Sequence, residues 1–195
     1  MTWLVRARCL VHLLVLGGGL GLFVGAVSSV RIPFISLRST SVQVDLASVL
    51  SVAVPVAWAA CLNRSSHVEQ SAVRPLRLIL GAGVLAVVTT TFLAALAGDA
   101  LFGGDAGLTA SRDVAAMIGL VLLAFTAWGS GAAALLPVGY LIASTLFGEG
   151  RSHRVDWWAV PIAPAPSSSA AALAVATLLA GLALFVSNGR PPERF

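Results

Sequence analysis

The chain has 195 residues, of which 58% are hydrophobic and only 10% are charged, and its mean hydropathy is +0.94. Soluble domains usually contain about 25% charged residues, so this composition predicts an integral membrane protein without a separate soluble domain. The formal net charge is +4, and all the basic residues are arginines. A phosphate-binding loop needs a lysine, so the chain cannot bind ATP through one. The modest charge indicates orientation in a bilayer, not binding of nucleic acid.

The first predicted span covers residues 10–30. Arg6 and Arg8 precede it, as basic residues precede the apolar core of a secretory signal peptide. The apolar run is longer than such a core, and the sequence AVSSV is a poor cleavage site. We therefore expect a retained helix, with a cleaved signal peptide as the alternative.

Small residues recur at every fourth position along this first span, at Gly17, Gly21, Gly25 and Ser29. This spacing allows two helix backbones to approach closely. We expect these residues to form a helix-packing seam, either within the chain or between subunits.

Five further spans are predicted at residues 44–62, 76–97, 109–128, 131–147 and 168–187. The apolar region 114–147 would be about 51 Å long as one helix, which is too long for a single crossing. The sequence WGSG interrupts it after Phe125-Thr126-Ala127, so two helices joined by a tight turn are expected. The predicted fold is an all-α membrane protein, one transmembrane domain (1–195) of six helices. One long helix, giving five spans, is the alternative.

Arginine placement predicts that both termini lie in the cytoplasm of a bacterial cell, with the chain in the inner membrane. With the N-terminus inside, seven arginines fall in cytoplasmic segments and five in outer segments. This bias is weak, and the five-span alternative gives the same count. Acidic residues fall mostly in the outer segments, at Asp45, Asp99, Asp105, Asp113, Glu149 and Asp156.

The predicted spans lack the residues that most membrane chemistry requires. No acidic, basic or histidine residue falls in the middle of any span, whereas ion-coupled carriers and proton pumps usually need one. The two cysteines and three histidines have no metal-ligand spacing, and no nucleophile, base and acid form a set. We therefore expect no catalytic residue, metal site or cofactor in this chain.

A polar outer segment joins the fifth and sixth spans and contains VDWWAVPIAPAPSSS. Trp157 and Trp158 are suited to the membrane–water interface, because an indole ring has both a polar and an apolar part. The prolines of PIAPAP prevent a continuous helix. We expect this segment to lie at the outer interface and the serines at 167–169 to cap the last helix.

The segment between the second and third spans reads SSHVEQSAVRPLRLILG. Ser66 and Glu69 fit a capping box, which marks the start of a helix. Val68 and Ala72 fall on one face of that helix, whereas Glu69 and Arg74 fall on the other. Pro75 is suited to the first position of the next helix. The sequence predicts a short amphipathic helix on the cytoplasmic surface, followed by a corner and then the third span, which includes Arg77.

In this organisation the chain resembles a type 2 ABC exporter permease, the membrane subunit of an ATP-driven efflux pump. The resemblance covers nearly the whole chain and has three parts: six spans with both termini inside, the short helix before span three, and the Trp- and Pro-containing segment before the last span. It implies that the short helix couples to an ATPase. The coupling residues would be Ser66, Val68, Glu69, Ala72, Arg74 and Arg77.

The same resemblance implies further partners. ATP and Mg²⁺ would be bound by a separate ABC ATPase subunit, and a second permease, identical or paralogous, would complete a path through the lipid membrane. The cargo would be amphipathic or hydrophobic, because the spans offer no charged site. The chain is shorter than is usual in that family and lacks its long amphipathic N-terminal helix, which leaves open a full permease or a reduced partner of a second one.

A second hypothesis is a non-transporting membrane subunit that scaffolds or regulates a larger complex. In that case the face formed by Gly17, Gly21 and Gly25 would be the contact surface.

Overall fold

The computed structural model describes residues 2–27, 30–34, 36–37, 42–65, 75–150, 154–164 and 166–187. These residues are mostly helical, with one small β-hairpin and one short 3₁₀ helix, Val160–Ile162. The helices are α1 (Thr2–Ala26), α2 (Leu46–Ser51), α3 (Ala53–Ser65), α4 (Pro75–Phe102), α5 (Ala106–Trp128), α6 (Ser130–Phe147) and α7 (Ser168–Ser187). The strands are β1 (Arg31–Phe34) and β2 (Val42–Asp45).

Three helices are long and apolar enough to cross a membrane: Leu78–Phe102, Ala106–Trp128 and Ser168–Ser187. This agrees with a helical membrane protein. The other apolar helical stretches, Leu10–Val24, Leu46–Leu62 and Gly131–Phe147, are shorter within the described residues. Length and composition therefore support three of the predicted spans and do not support a six-span bundle by themselves.

The predicted helix over residues 44–62 is wrong as one continuous element. It begins with β2, continues as α2, turns at Val52 and resumes as α3. Pro55 explains the break, because it has no N–H to donate to the carbonyl of Ser51 four residues earlier. The helical ladder resumes where Val56 N–H donates to Val52 O at 3.1 Å.

The hairpin corrects the expectation of an all-α chain. β1 and β2 are antiparallel, and Arg31 lies opposite Asp45. The two side chains form an ion pair, with Arg31 Nε 3.4 Å from Asp45 Oδ1, at the surface. Val44 is fully buried, so the hairpin covers one end of the helices.

Close backbone contacts fix the relative directions of the helices. A Cβ added to Gly17 would lie 2.5 Å from Thr91 Oγ1, and one added to Gly21 would lie 2.8 Å from Thr91 O, so α1 packs tightly on α4. Likewise, a Cβ added to Gly119 would lie 2.5 Å from Thr177 C, and one on Gly181 would lie 2.6 Å from Gly119 O. Along α1, Gly17 also lies near Val87 and Gly21 near Ala95, so α1 is parallel to α4. Along α5, Gly119 lies near Thr177 and Leu122 lies near Gly181, so α5 is parallel to α7.

The central element is α5, which other helices surround. Most of its residues are buried, and Met117, Ile118, Val121 and Leu122 have no exposed surface. This stretch, about two helical turns long, is the buried apolar middle of α5.

The bundle has two distinct ends. We call one the hairpin end, where Val24, Ala47, Ala106 and Ala110 form a cluster and α2 follows directly on β2. The other is the turn end, where Gly129 joins α5 to α6 with a φ of 86°, a value that favours glycine. The aromatic rings of Phe125 and Phe185 meet near the turn end, with centroids 6.0 Å apart.

Candidate functional site

Two charged residues lie inside the bundle on α5. Asp113 is fully buried and Arg112 is 8% exposed. Because α5 begins at Ala106, Asp113 lies about 10 Å along the helix from its start. The sequence predicts that both residues lie in outer segments. The structure places them within α5, where protein encloses both side chains.

Arg112 clamps the segment between α6 and α7 onto α5. Its Nη2 donates to Val160 O at 2.8 Å and to Ala163 O at 2.9 Å, and its Nη1 donates to Pro164 O at 3.0 Å. These carbonyls belong to a proline-rich stretch that has few N–H groups of its own. A guanidinium group has five N–H donors in a fixed plane, so it satisfies several irregular carbonyls at once.

Asp113 balances the charge of Arg112. Arg112 Nε and Nη2 donate to Asp113 Oδ1 at 3.3 and 3.2 Å. A buried ion pair is stable only when its remaining polar atoms are also satisfied. Arg112 meets that condition through the three carbonyls, whereas Asp113 Oδ2 has no hydrogen bond among the described residues.

Tyr140 on α6 holds the same segment from the other side. Its hydroxyl donates to Trp158 O and accepts from the N–H of Val160, with Val160 N 3.2 Å from the hydroxyl oxygen. Ala159 and Val160 have no exposed surface. Residues 158–164 are therefore held at the hairpin end by Arg112 from α5 and by Tyr140 from α6.

Three buried oxygen atoms around this clamp have no hydrogen-bond partner among the described residues: Ser48 Oγ, Asp113 Oδ2 and Ser144 Oγ. The Ser48 side chain lies beside the Asp113 carboxyl group, and the Ser144 side chain lies beside Tyr140. We call Ser48, Arg112, Asp113, Tyr140 and Ser144 the Asp113 cluster.

The predicted coupling residues lie, in sequence, between the end of α3 and the first turn of α4. Ser66, Val68, Glu69, Ala72 and Arg74 lie outside the described residues, so the proposed amphipathic helix stays a prediction. Arg77 lies in the first turn of α4, which begins at Pro75.

The predicted packing residues divide between described and undescribed positions. Gly17 and Gly21 face α4 within the chain. Gly25 lies near the end of α1, and Ser29 lies outside the described residues. Of the two predicted interface residues, Trp157 is 70% exposed and Trp158 is half-buried.

One sequence signal could have indicated the Asp113 cluster. The Arg-Asp pair is surrounded by small residues, Ala110, Ala115, Ala116 and Gly119, and such residues allow other helices to approach closely. We therefore expect a charged pair on a helix rich in small residues to be buried, with its charges paired inside the protein.

Comparisons with protein-family models, with curated proteins and with solved structures gave no match. Among the residues that the structure describes, no three His, Cys, Asp or Glu side chains are grouped so that they could hold a metal ion. The chemistry available in the cluster is that of oxygen atoms and one guanidinium group.

Proposed function

We propose that the chain is the membrane permease subunit of an ATP-driven ABC exporter, with a separate ATPase subunit, in a bacterial cell membrane with both termini in the cytoplasm. The observation that carries this proposal is the apolar middle of α5, where Met117, Ile118, Val121 and Leu122 are fully buried. A polar path through one copy would have to cross this layer. A path between two subunits would not, and that is the arrangement that the resemblance implies.

All six apolar helical segments cross the membrane in this proposal. The parallel pairs α1–α4 and α5–α7 are the pattern expected when successive segments alternate in direction. α6 has 18 residues and α1 has 25, which correspond to about 27 and 38 Å. The segments α2 and α3 together are about 30 Å long. These lengths are comparable with a hydrocarbon core of about 30 Å.

The coupling surface lies at the turn end, where the chain leaves α3 at Ser65 and re-enters α4 at Pro75. The turn end is cytoplasmic in this proposal, because Arg64, Arg74 and Arg77 belong to that connection. An ATPase would press on Glu69 and Arg74, and the third span would transmit the movement.

The cargo class follows from the lipid-facing surfaces. α4 presents exposed Leu85, Phe92 and Leu93, and α1 presents exposed Val15 and Phe23. These faces can contact lipid, a second permease or an apolar cargo, and they carry no charge. The proposal is therefore for an amphipathic or hydrophobic compound.

The test is ATP hydrolysis by the complex purified through a tag on this chain from native membranes. Glu69→Ala combined with Arg74→Ala should abolish either co-purification of the ATPase or its coupling to the permease. Arg190→Ala combined with Glu193→Ala removes the same charges from the C-terminus and is the matched control. Equal assembly and equal coupling in both double variants would contradict the proposal.

The non-transporting subunit is a weaker alternative, because Gly17 and Gly21 already contact α4 within the same chain. A scaffold would need another contact surface. Pull-down of a stable partner that is not an ATPase, without any effect of the coupling variants, would favour this alternative.

A further inference from the structure

Four arginines on three neighbouring helices occupy one level of the bundle, near the turn end. A Cβ added to Gly83 on α4 would lie 3.1 Å from the Leu10 side chain on α1 and 3.6 Å from the Trp58 ring on α3, so the three helices meet there. Two arginines come two and four residues before Leu10, one comes six residues before Gly83, and one comes six residues after Trp58. At about 1.5 Å per residue, all four positions lie roughly 3–9 Å from this meeting point, towards the turn end. We call them the turn-end arginines: Arg6, Arg8, Arg64 and Arg77.

No acidic residue accompanies these arginines on the described helices around them. Residues 2–10, 58–65 and 75–83 contain neither Asp nor Glu. The first acidic residue along α4 is Asp99, about 24 Å beyond Gly83, and its carboxylate accepts the N–H of Gly107 at the hairpin end. The connection between α3 and α4 adds Glu69 and Arg74, whose charges cancel. The described helices therefore carry a net positive charge at the turn end.

An exposed apolar surface adjoins the turn-end arginines on the side of the bundle middle. Leu78 and Ile79 follow directly after Arg77 and are 59% and 47% exposed. On the neighbouring α1, Val11 and Val15 follow Arg8 within two turns and are also exposed. Positive charge at the end of the helices and apolar surface next to it match the two parts of a phospholipid, the headgroup and the acyl chains.

The headgroup chemistry follows from the type of basic residue. A guanidinium group binds a phosphate through two parallel hydrogen bonds. Basic positions between membrane helices are suited to anionic lipid headgroups. A zwitterionic phospholipid also has a phosphate, but its own positive charge opposes binding beside arginines. A soluble phosphate would leave the apolar surface unused.

We propose that the turn-end arginines and the adjoining apolar surface of α1 and α4 form a binding site for an anionic phospholipid, with its phosphate at the arginines and its acyl chains along the helices. The site requires only the fold of this chain. Binding can therefore be measured on the purified protein without an ATPase or a second permease, and its failure would leave the exporter proposal untouched.

The test is the composition of the lipid that the full chain retains in a neutral detergent. The protein is equilibrated with equal amounts of phosphatidylglycerol and phosphatidylcholine that have the same acyl chains, and the bound lipids are counted by native mass spectrometry. An arginine near an anionic lipid favours it by roughly fivefold, so the wild type should prefer phosphatidylglycerol by on the order of tenfold. The absence of any preference would overturn the proposal.

A pair of matched variants assigns the preference to the turn end. Arg8→Gln combined with Arg64→Gln should reduce it to about twofold or less. Arg31→Gln combined with Arg154→Gln removes the same charge from exposed positions at the hairpin end and should keep it. An equal loss in both double variants would overturn the proposal, because the preference would then follow from net charge alone.

Two measurements on the wild type need no variant to fold. Raising the salt concentration tenfold should weaken the preference for phosphatidylglycerol, because salt screens the charged headgroup. Inorganic phosphate in excess over the lipid should not displace phosphatidylglycerol, since it cannot occupy the apolar surface. A preference that is insensitive to salt, or displacement of the lipid by phosphate, would contradict the proposed site.

Discussion

Replacing Arg112 with methionine should be among the most destabilising single changes in this chain. The substitution leaves Asp113 as a fully buried charge without its partner. It also removes the donors for Val160 O, Ala163 O and Pro164 O. Removing one member of a buried ion pair costs about 3–5 kcal/mol. The lost hydrogen bonds are part of the same penalty, so we expect a decrease of about that size in the free energy of unfolding.

A double variant separates the unpaired charge from the lost clamp. Arg112→Met with Asp113→Leu removes both charges and leaves only the carbonyls without donors. The unpaired carboxylate is the larger cost, so the double variant should be more stable than Arg112→Met alone. Arg154→Met is the control, because Arg154 is an exposed arginine at the start of the same segment and should change stability little.

The assay is equilibrium unfolding in mixed micelles, in which dodecylmaltoside is progressively replaced by SDS and helicity is followed by circular dichroism. Two results would refute the reasoning. Equal stability of Arg112→Met and Arg154→Met would mean that the clamp contributes nothing, and a double variant less stable than Arg112→Met would mean that the buried charge is not the main cost.

Three further predictions concern the seam, the second clamp and the interface. Gly21→Leu should lower the free energy of unfolding by about 1–3 kcal/mol, measured in the same assay. Gly19→Leu is the control and should not lower it, because a Cβ at Gly19 would meet nothing within 4 Å. Equal effects of the two substitutions would contradict the packing seam. Tyr140→Phe should cost about 1 kcal/mol and should increase hydrogen exchange of the Val160 amide, and unchanged exchange would contradict the second clamp. Trp157, which is 70% exposed, should be quenched most by lipids brominated near the headgroup, and stronger quenching by lipids brominated at the chain ends would place it deeper than predicted.

The last helix was well predicted, because its start has a local cause. An uninterrupted apolar run follows a serine cluster, and Ser167 Oγ accepts the N–H of Ala170 at 3.4 Å, as a cap predicts. The boundary between α5 and α6 was also predictable, since Gly129 allows a conformation that other residues rarely adopt. In both places the structure depends on neighbours in sequence.

The second span shows where composition misleads. Residues 44–62 are apolar enough for one helix, but Val44 pairs with Ile32 in a hairpin, and the pairing depends on a segment more than ten residues earlier. Pro55 lies just after a break at Val52, where α2 ends and α3 begins.

The hydrogen-bond acceptors of Arg112 could not be located from local rules. Charge rules assign adjacent arginine and aspartate residues to water when they lie near the end of a span. Here the acceptors for Arg112 are carbonyls 48 to 52 residues later in the chain. Only the tertiary fold brings the proline-rich segment to α5.

The coupling surface depends on the six crossings, with the hairpin end outside and the turn end inside. Cysteine labelling tests this directly. Cys9 and Cys61 are replaced by serine, and single cysteines are introduced by Gly104→Cys, next to the α4–α5 turn, and by Gly131→Cys, at the start of α6. A membrane-impermeant maleimide should label the first variant in intact cells and the second only after permeabilisation. Labelling of both from the same side, or no labelling of the Gly131→Cys variant after permeabilisation, would contradict the six-crossing arrangement.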